Sequence, residues 1–231
     1  MTVRTNEPDV LYLVKPSEDN DELRYSLRSL KNVPHGRVFL AGYMPSWVKS
    51  EYEYIPAEQD SEKYQNTRNN LRTALRDPRL GNEFILMNDD FFIMKPIEKI
   101  PALRRLKNIE HYIDLFSRLK SDGYYVQAMV ATRDILQEWG IHAISSYELH
   151  VPMLFDKNKL LALMRKLPEN SPSRHIRTLY GNYYGIDGER IRDVKVINDD
   201  QEIDYEGIFL STSDESFEQG KVGEYIRDVL S

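Results

Sequence analysis

Residues 84–96 read FILMNDDFFIMKP, and this stretch decides the fold. Four apolar residues lead directly into Asn88, Asp89 and Asp90, and a second apolar run follows at once. A short apolar run bounded by turn residues predicts a buried strand. Two carboxylates beside a buried strand are costly unless they have a partner, so the pair needs an explanation.

The residues before this stretch predict strands that alternate with helices. Leu23, Leu27 and Leu30 fall at helical spacing, and Ser61 is the expected cap of a second helix, over residues 61–77. Apolar runs predict strands at 10–14, 37–43, 52–56 and 83–89. This alternation predicts an α/β fold, with a mixed, mainly parallel, Rossmann-type sheet flanked by helices. Ligands of such sheets bind at the carboxyl ends of the strands.

The second half of the chain is less regular. The expected helices cover 101–121, 155–167, 171–181 and 216–230, and the expected strands cover 124–132, 142–150, 194–199 and 207–213. At the end of the last of these strands, residues 211–214 predict a strand end that leads into a helix cap.

Composition limits the classes of protein. Of the 231 residues, 41% are hydrophobic and 29% are charged, which is typical of a globular protein. A net charge of -6 argues against broad binding to nucleic acid. The absence of cysteine excludes disulfides and thiolate zinc sites. No apolar stretch resembles a signal peptide or a membrane span, so a cytoplasmic location is expected.

The acidic pair predicts a metal site. Mg²⁺ and Mn²⁺ take oxygen ligands, and Mg²⁺ usually uses one or two carboxylates together with phosphate oxygens and water. The alternative is a simple turn, because asparagine and aspartate are favoured in turns. The apolar residues 91–94 that follow Asp89 and Asp90 favour the metal site, since a simple turn would be followed by polar chain.

Three blocks resemble the second conserved region of the Stealth family, which includes capsular polysaccharide sugar-phosphate transferases and the lysosomal-enzyme N-acetylglucosamine phosphotransferase. They are DELRYSLRSL at 21–30, MPSWV at 44–48 and FILMNDDFFIMKP at 84–96, in the family's order and spacing. ELHVPMLFDK at 148–157 is similar to a downstream His-x-Pro segment. The remaining chain lacks the family's insertions and looks like small stand-alone transferases such as those of bacteriophages.

The resemblance implies a GT-A-type nucleotide-sugar transferase fold. It implies one domain over 1–231, in which residues 1–100 form the nucleotide-donor half and 101–231 the acceptor half. Asp89 and Asp90 match the metal-binding pair, and His150 matches a histidine that completes the metal shell or contacts the transferred phosphate. Asp90, His150 and Arg24 are then the expected catalytic residues. Asn66 and Arg68 match a polar helix start where the family has asparagines.

The residues themselves suggest further donor contacts. Lys63, Asn66 and Asn70 share one face of the predicted helix over 61–77, whose amino end can point at a phosphate. Arg24 can hold a diphosphate bidentately, or it can pair with Glu22 or Asp21 on a solvated helix face. Tyr43 ends the predicted strand over 37–43, where it can stack on a base or pack against Trp47.

Three functions are therefore open. The first is a Mn²⁺- or Mg²⁺-dependent glycosyltransferase that moves a sugar from a nucleotide sugar, expected to be a UDP-sugar, to a hydroxyl of a saccharide, a protein or a modified nucleic acid. The second is a Stealth-type sugar-1-phosphate transferase that releases nucleoside monophosphate. The third is a noncatalytic nucleotide- or sugar-binding module. A bacteriophage origin would place the protein in the host cytoplasm.

Overall fold

A computed structural model describes residues 7–59, 63–121, 123–167 and 174–231, without the side chains of 63–65. Contacts within the chain divide it into two compact units. The first unit contains residues 1–100, 150–159 and 194–231, and the second contains residues 101–149 and 160–193.

The described part contains ten strands and eight α-helices. In chain order they are β1 (Asp9–Val14), α1 (Asp21–Ser29), β2 (Val38–Gly42), β3 (Glu53–Pro56), α2 (Lys63–Arg76), β4 (Glu83–Met87), β5 (Phe91–Ile93), β6 (Leu103–Arg105), α3 (Ile109–Arg118), α4 (Gly123–Glu138), β7 (Met153–Asp156), α5 (Lys157–Arg165), α6 (Ile176–Tyr183), β8 (Glu189–Ile191), β9 (Lys195–Val196), β10 (Phe209–Thr212), α7 (Asp214–Glu218) and α8 (Lys221–Val229).

The central sheet of the first unit has the strand order β3-β2-β1-β4-β7. The first four strands are parallel, and β7 pairs with β4 in the antiparallel direction at the edge. All residues of β1 and β2 are buried, as expected for a parallel sheet that is covered on both faces. The predicted mixed, mainly parallel α/β sheet flanked by helices is therefore confirmed.

Helices α1 and α2 form where the apolar spacing predicted them. Asn20 caps α1 by accepting a hydrogen bond from the backbone N–H of Leu23, which is buried together with Leu27. Helix α2 packs on β1 and β2, and Leu71 and Leu75 are buried. The expected cap Ser61 lies outside the described residues.

A second sheet stands beside the central one in the same unit. Its order is β5-β10-β9, with β10 antiparallel to β5 and parallel to β9. An apolar cluster that includes Phe92, Leu210 and Phe217 joins these strands to α7 and α8. The carboxyl end of β10 contributes Ser211 and Thr212, which are fully buried.

The second unit contains a two-stranded parallel sheet of β6 and β8. Helix α3 packs against α4, and α4 packs against α6. Within the described ranges, no helix is long and apolar enough to cross a membrane.

Two strand predictions in the second unit are wrong. Residues 124–132 belong to α4, where Ala128, Thr132 and Ile135 are buried at helical spacing. Packing against α3 and α6 outweighs the strand preference of the tyrosines and valines in this segment. Residues 142–150 form no strand and make one isolated bridge, from Ser145 to Asn108.

Several boundaries also differ from the predictions. The helix expected over 101–121 is restricted to α3, because residues 103–105 pair with β8. The expected terminal helix is interrupted between α7 and α8, where Gly220 caps α8. Phe155 and Asp156, expected in a helix, instead belong to β7, and Asp156 caps the helix that follows by accepting from the N–H of Lys159.

Candidate functional site

Asp89 and Asp90 lie in the turn between β4 and β5 in the first unit. The turn is closed by a backbone hydrogen bond from Phe91 N to Asn88 O at 3.3 Å. Strands β4, β1 and β2 are parallel, so their carboxyl ends lie at the same end of the sheet. The turn after β4 therefore lies at the same end as the residues that follow Val14 and Gly42. The predicted placement of the acidic pair at the carboxyl edge of the sheet is confirmed.

Asp89 is buried, with 8% of the residue exposed. Asn20 Nδ2 donates a hydrogen bond to Asp89 Oδ2 at 2.8 Å. Burial raises the pKa of Asp89, and repulsion from Asp90 raises it further. Asp89 is therefore a carboxylate whose negative charge is only partly compensated by the chain.

Asp90 pairs with a lysine that is distant in sequence. Lys195 Nζ, on β9, lies 2.7 Å from Asp90 Oδ2. Ser211 Oγ donates to the same oxygen at 3.3 Å. The side chain of Asp90 is 14% exposed and that of Lys195 is 25% exposed, so this ion pair is screened less by solvent than a surface pair.

A third carboxylate, Glu22, belongs to the same cluster. Thr212 Oγ1 donates to Glu22 Oε1 at 2.7 Å. Burial raises the pKa of Glu22 to about 7, and repulsion from Asp89 and Asp90 adds to the effect of burial. The carboxyl group of Glu22 therefore titrates near neutral pH.

Lys15, directly after β1, is the second cation of the cluster. Its Nζ donates to Asp214 Oδ1 at 2.9 Å and lies 3.8 Å from Glu22 Oε2. Burial lowers the pKa of Lys15, but the opposing attraction of Asp89 and the hydrogen bond to Asp214 outweigh this effect, so the pKa is raised. We refer to Lys15, Glu22, Asp89, Asp90, Lys195 and Asp214 as the acidic cluster.

The acidic cluster contains four carboxyl groups and two lysines. When all are ionised it carries two excess negative charges. The pKa values of Asp89 and Glu22 are raised mainly by burial, and repulsion from neighbouring carboxylates raises them further. Such a cluster attracts cations. In the described ranges, however, no group of three or more histidine, aspartate or glutamate side chains is arranged to hold a metal ion.

His150 precedes β7, and its ring meets the ring of Phe91 edge-on, with 6.1 Å between centroids. Since the described residues include no three-membered set of metal ligands, the structure does not gather His150 with Asp89 and Asp90 into one.

Arg24, in α1, and Tyr43, directly after β2, lie beside the loops that contain Glu18 and Trp47. The guanidinium of Arg24 lies 4.1 Å from the ring centroid of Trp47, and its Nε lies 3.0 Å from Asp21 Oδ1. Tyr43 donates from its hydroxyl to Glu18 Oε2 at 2.8 Å. The structure thus groups the two predicted donor-binding residues with Glu18 and Trp47.

Asn70 links α2 to the edge of the sheet. It is 2% exposed, donates to the carbonyl of Val14 at 3.3 Å, and accepts from Gln59 Nε2 at 2.8 Å. It also lies against Gly42, whose φ is +107°, and a Cβ at Gly42 would approach Asn70 Nδ2 to 2.2 Å. In this structure Asn70 holds the strand ends in place.

The other predicted residues of α2 lie near its beginning. Asn66 and Arg68 are half-buried. Lys63 is the first residue of the helix, and its side chain lies outside the described part.

Sequence reasoning missed Lys195 and treated Glu22 only as a partner of Arg24. Glu22 carried a weak signal, because it belongs to the DELRYS block at the start of α1. Residues 211–214 were expected to form a strand end and a helix cap, and this is confirmed, since β10 ends at Thr212 and Ser213 caps α7. No protein-family model matches the sequence.

Proposed function

We propose that this chain is a metal-dependent glycosyltransferase that uses a nucleotide-sugar donor, expected to be a UDP-sugar. The observation that supports the proposal is the acidic cluster at the carboxyl edge of a parallel sheet. Crevices at this edge are where open α/β sheets bind their ligands. The compact length of the chain favours glycosyl transfer, whereas the resemblance of the NDD turn to Stealth transferases favours sugar-phosphate transfer, which is the alternative reaction.

The carboxyl groups of the cluster fit a hard divalent cation. Asp89 is buried, and the pKa of its carboxyl is raised by burial and by Asp90, so a cation placed beside the pair would relieve an existing charge excess. Asp89 and Asp90 would hold Mn²⁺ or Mg²⁺, which commonly keeps waters and phosphate oxygens as its other ligands. A bound metal ion would stabilise the charge of the nucleoside diphosphate leaving group.

The lysines of the cluster have a separate role in this proposal. Lys195 contacts Asp90, and Lys15 contacts Asp214 and Glu22. A metal ion on Asp89 and Asp90 would replace Lys195 as the partner of Asp90, and the ammonium group of Lys195 would then be available to the phosphate oxygens of the donor. Lys15 would keep its contacts with Asp214 and Glu22 and would add positive charge near Asp89. Lysine commonly binds phosphate as a point charge.

Calorimetric titration with a panel of UDP-sugars, with and without Mn²⁺, tests the proposal. We expect binding that depends on Mn²⁺ in the wild type and falls at least about tenfold in Asp89→Asn and Asp90→Asn. Asp204→Asn, an exposed aspartate outside the cluster, is the matched control and should bind like the wild type. Binding that is indifferent to Mn²⁺ would contradict the proposal.

A product assay separates the two transfer reactions. Glycosyl transfer releases a nucleoside diphosphate, whereas sugar-phosphate transfer releases a nucleoside monophosphate. Chromatography of the nucleotide products therefore identifies which bond of the donor breaks. Release of monophosphate alone would replace the proposed glycosyl transfer with the Stealth-type reaction.

A noncatalytic binding module is the second candidate, and the Lys195–Asp90 ion pair favours it. At 2.7 Å this lysine already supplies a cation to the acidic pair, so the chain needs no metal ion there for charge balance at Asp90. Metal-independent binding of a UDP-sugar without any release of nucleotide would support this candidate.

A further inference from the structure

The second unit concentrates basic side chains around β6 and β8. Arg104 and Arg105 lie on β6, Arg190 lies on β8, and Lys107 follows β6 by two residues. The parallel register places Arg104 directly opposite Arg190. Like charges at opposed positions of a sheet are destabilising unless a counter-charge is present.

Only part of this positive charge is compensated by the chain. Arg104 Nη2 lies 3.0 Å from Asp187 Oδ1, and Arg105 Nη2 lies 2.7 Å from Asp193 Oδ2. Over the described ranges, no carboxylate forms an ion pair with Lys107 or Arg190. Two cations therefore remain uncompensated in a chain whose net charge is -6.

These side chains line a cavity of about 150 Å³. Arg105, Lys107 and Arg190 contribute to its wall together with Asn108 and Ser145, and none of the described lining residues is acidic. Its volume is several times the roughly 30 Å³ that one water molecule occupies in the liquid, which leaves room for a phosphate group.

Helix α3 begins at the same cavity. Asn108 caps the helix by accepting a hydrogen bond from the N–H of His111 at 3.1 Å. The amino end of an α-helix carries partial positive charge and favours an anion. The amino end of α3 adds to the positive electrostatic potential of Lys107 and Arg190, which supply most of the positive charge at the cavity.

We propose that this cavity, which we call the basic cavity, binds the phosphate group of a small phosphorylated molecule. A phosphate dianion can accept hydrogen bonds from the guanidinium group of an arginine and from the ammonium group of a lysine at the same time. The proposal is independent of the glycosyltransferase proposal, because the basic cavity shares no residue with the acidic cluster.

Calorimetric titration of the full chain with inorganic phosphate, glucose 6-phosphate and glucose tests this site, at low ionic strength with EDTA. The wild type should bind both phosphates and not glucose. The double variant K107Q/R190Q should bind phosphate at least about tenfold more weakly, and it should fold, since both side chains are exposed. Arg192→Gln, an exposed arginine outside the cavity lining, should bind within about twofold of the wild type.

Further outcomes distinguish the basic cavity from a nucleic-acid surface. Asp204→Asn, at an exposed aspartate outside the cavity lining, should leave phosphate binding unchanged. No binding of phosphate to the wild type, or equal binding to K107Q/R190Q, would overturn the proposal. An oligonucleotide that binds at least about tenfold more tightly than glucose 6-phosphate through Lys107 and Arg190 would also overturn it, in favour of a nucleic-acid surface.

Discussion

Asn20 joins the start of α1 to Asp89 through the two ends of one side-chain amide. Its Nδ2 donates to Asp89 Oδ2 at 2.8 Å, and its Oδ1 accepts from the N–H of Leu23 at 3.1 Å. Asn20 itself is 4% exposed. The position of the helix and the position of the carboxylate are therefore coupled.

Asn20→Asp should separate these two roles. Aspartate caps a helix as well as asparagine does, but it places a carboxylate against Asp89 where an N–H donor stood. We expect the free energy of unfolding at pH 8 to fall by about 2–3 kcal/mol, the cost of losing a hydrogen bond to a buried charge, measured by urea denaturation. Asn108→Asp changes the cap of α3 in the same way and should cost less than about 0.5 kcal/mol. Equal effects at both caps would refute the coupling.

Glu22 should make the protein less stable as the pH rises. Its pKa is about 7 in the folded state, against an ordinary value of 4.5. Between these pH values the folded state keeps a proton that the unfolded state has lost, so the contribution to stability is complete below about pH 4.5 and is lost as the pH rises through 7. The full effect is at most about 3 kcal/mol.

Urea denaturation of Glu22→Gln between pH 5 and pH 8 tests this dependence. Glutamine keeps an oxygen acceptor for Thr212 and has no charge, so the variant should be more stable than the wild type at pH 8 by about 2 kcal/mol. Glu98→Gln, at an exposed glutamate, should follow the wild-type curve. A wild type whose stability is flat or increases over this range would show that Glu22 does not titrate as the structure implies.

Gly42→Ala, at the carboxyl end of β2, should strongly destabilise the folded protein. Gly42 has a φ of +107°, and a Cβ there would approach Asn70 Nδ2 to 2.2 Å. We expect a loss of about 3 kcal/mol or more in the free energy of unfolding, from backbone strain and the overlap together. Gly140 also has a positive φ, +79°, but an added Cβ would meet no atom within 4 Å. Gly140→Ala should therefore cost only about 1 kcal/mol, and a similar loss in both variants would exclude the Asn70 contact as the cause.

Lys195→Met should strengthen the binding of Mn²⁺ in the absence of nucleotide. Lys195 contacts Asp90 at 2.7 Å, so in the proposed site it competes with a metal ion for the same carboxylate. Removal of the ammonium group should tighten Mn²⁺ binding by about threefold to tenfold, as measured by calorimetry. Lys221→Met, at an exposed lysine in α8, is the control. Unchanged or weaker binding in Lys195→Met would mean that Asp90 is not a ligand.

The sequence predicts the first hundred residues well because the signals there are local. Leu23 and Leu27 mark one face of α1, and the apolar runs before Lys15 and Asn88 are bounded by turn residues. Parallel pairing then places the ends of β1, β2 and β4 at one edge. The location of Asp89 and Asp90 follows from this topology without any knowledge of side-chain contacts.

The partners of the acidic residues could not be predicted, because they come from distant parts of the chain. Lys195 is 105 positions from Asp90, and Thr212 is 190 positions from Glu22. A lysine in a two-residue strand has no local pattern that marks it. The wrong strand prediction for residues 124–132 has a related cause. Whether such an apolar segment forms a strand or a helix depends on the helices that pack against it.

The first unit is built from three separate segments of the chain, and this has a consequence for its biosynthesis. β7 and β10 are made long after β1 to β4, so a ribosome must pass residue 212 before Lys195 and Thr212 can reach Asp90 and Glu22. Until then the nascent sheet edge carries its carboxylates without these two partners. The acidic cluster is thus completed last, after the second unit has been synthesised.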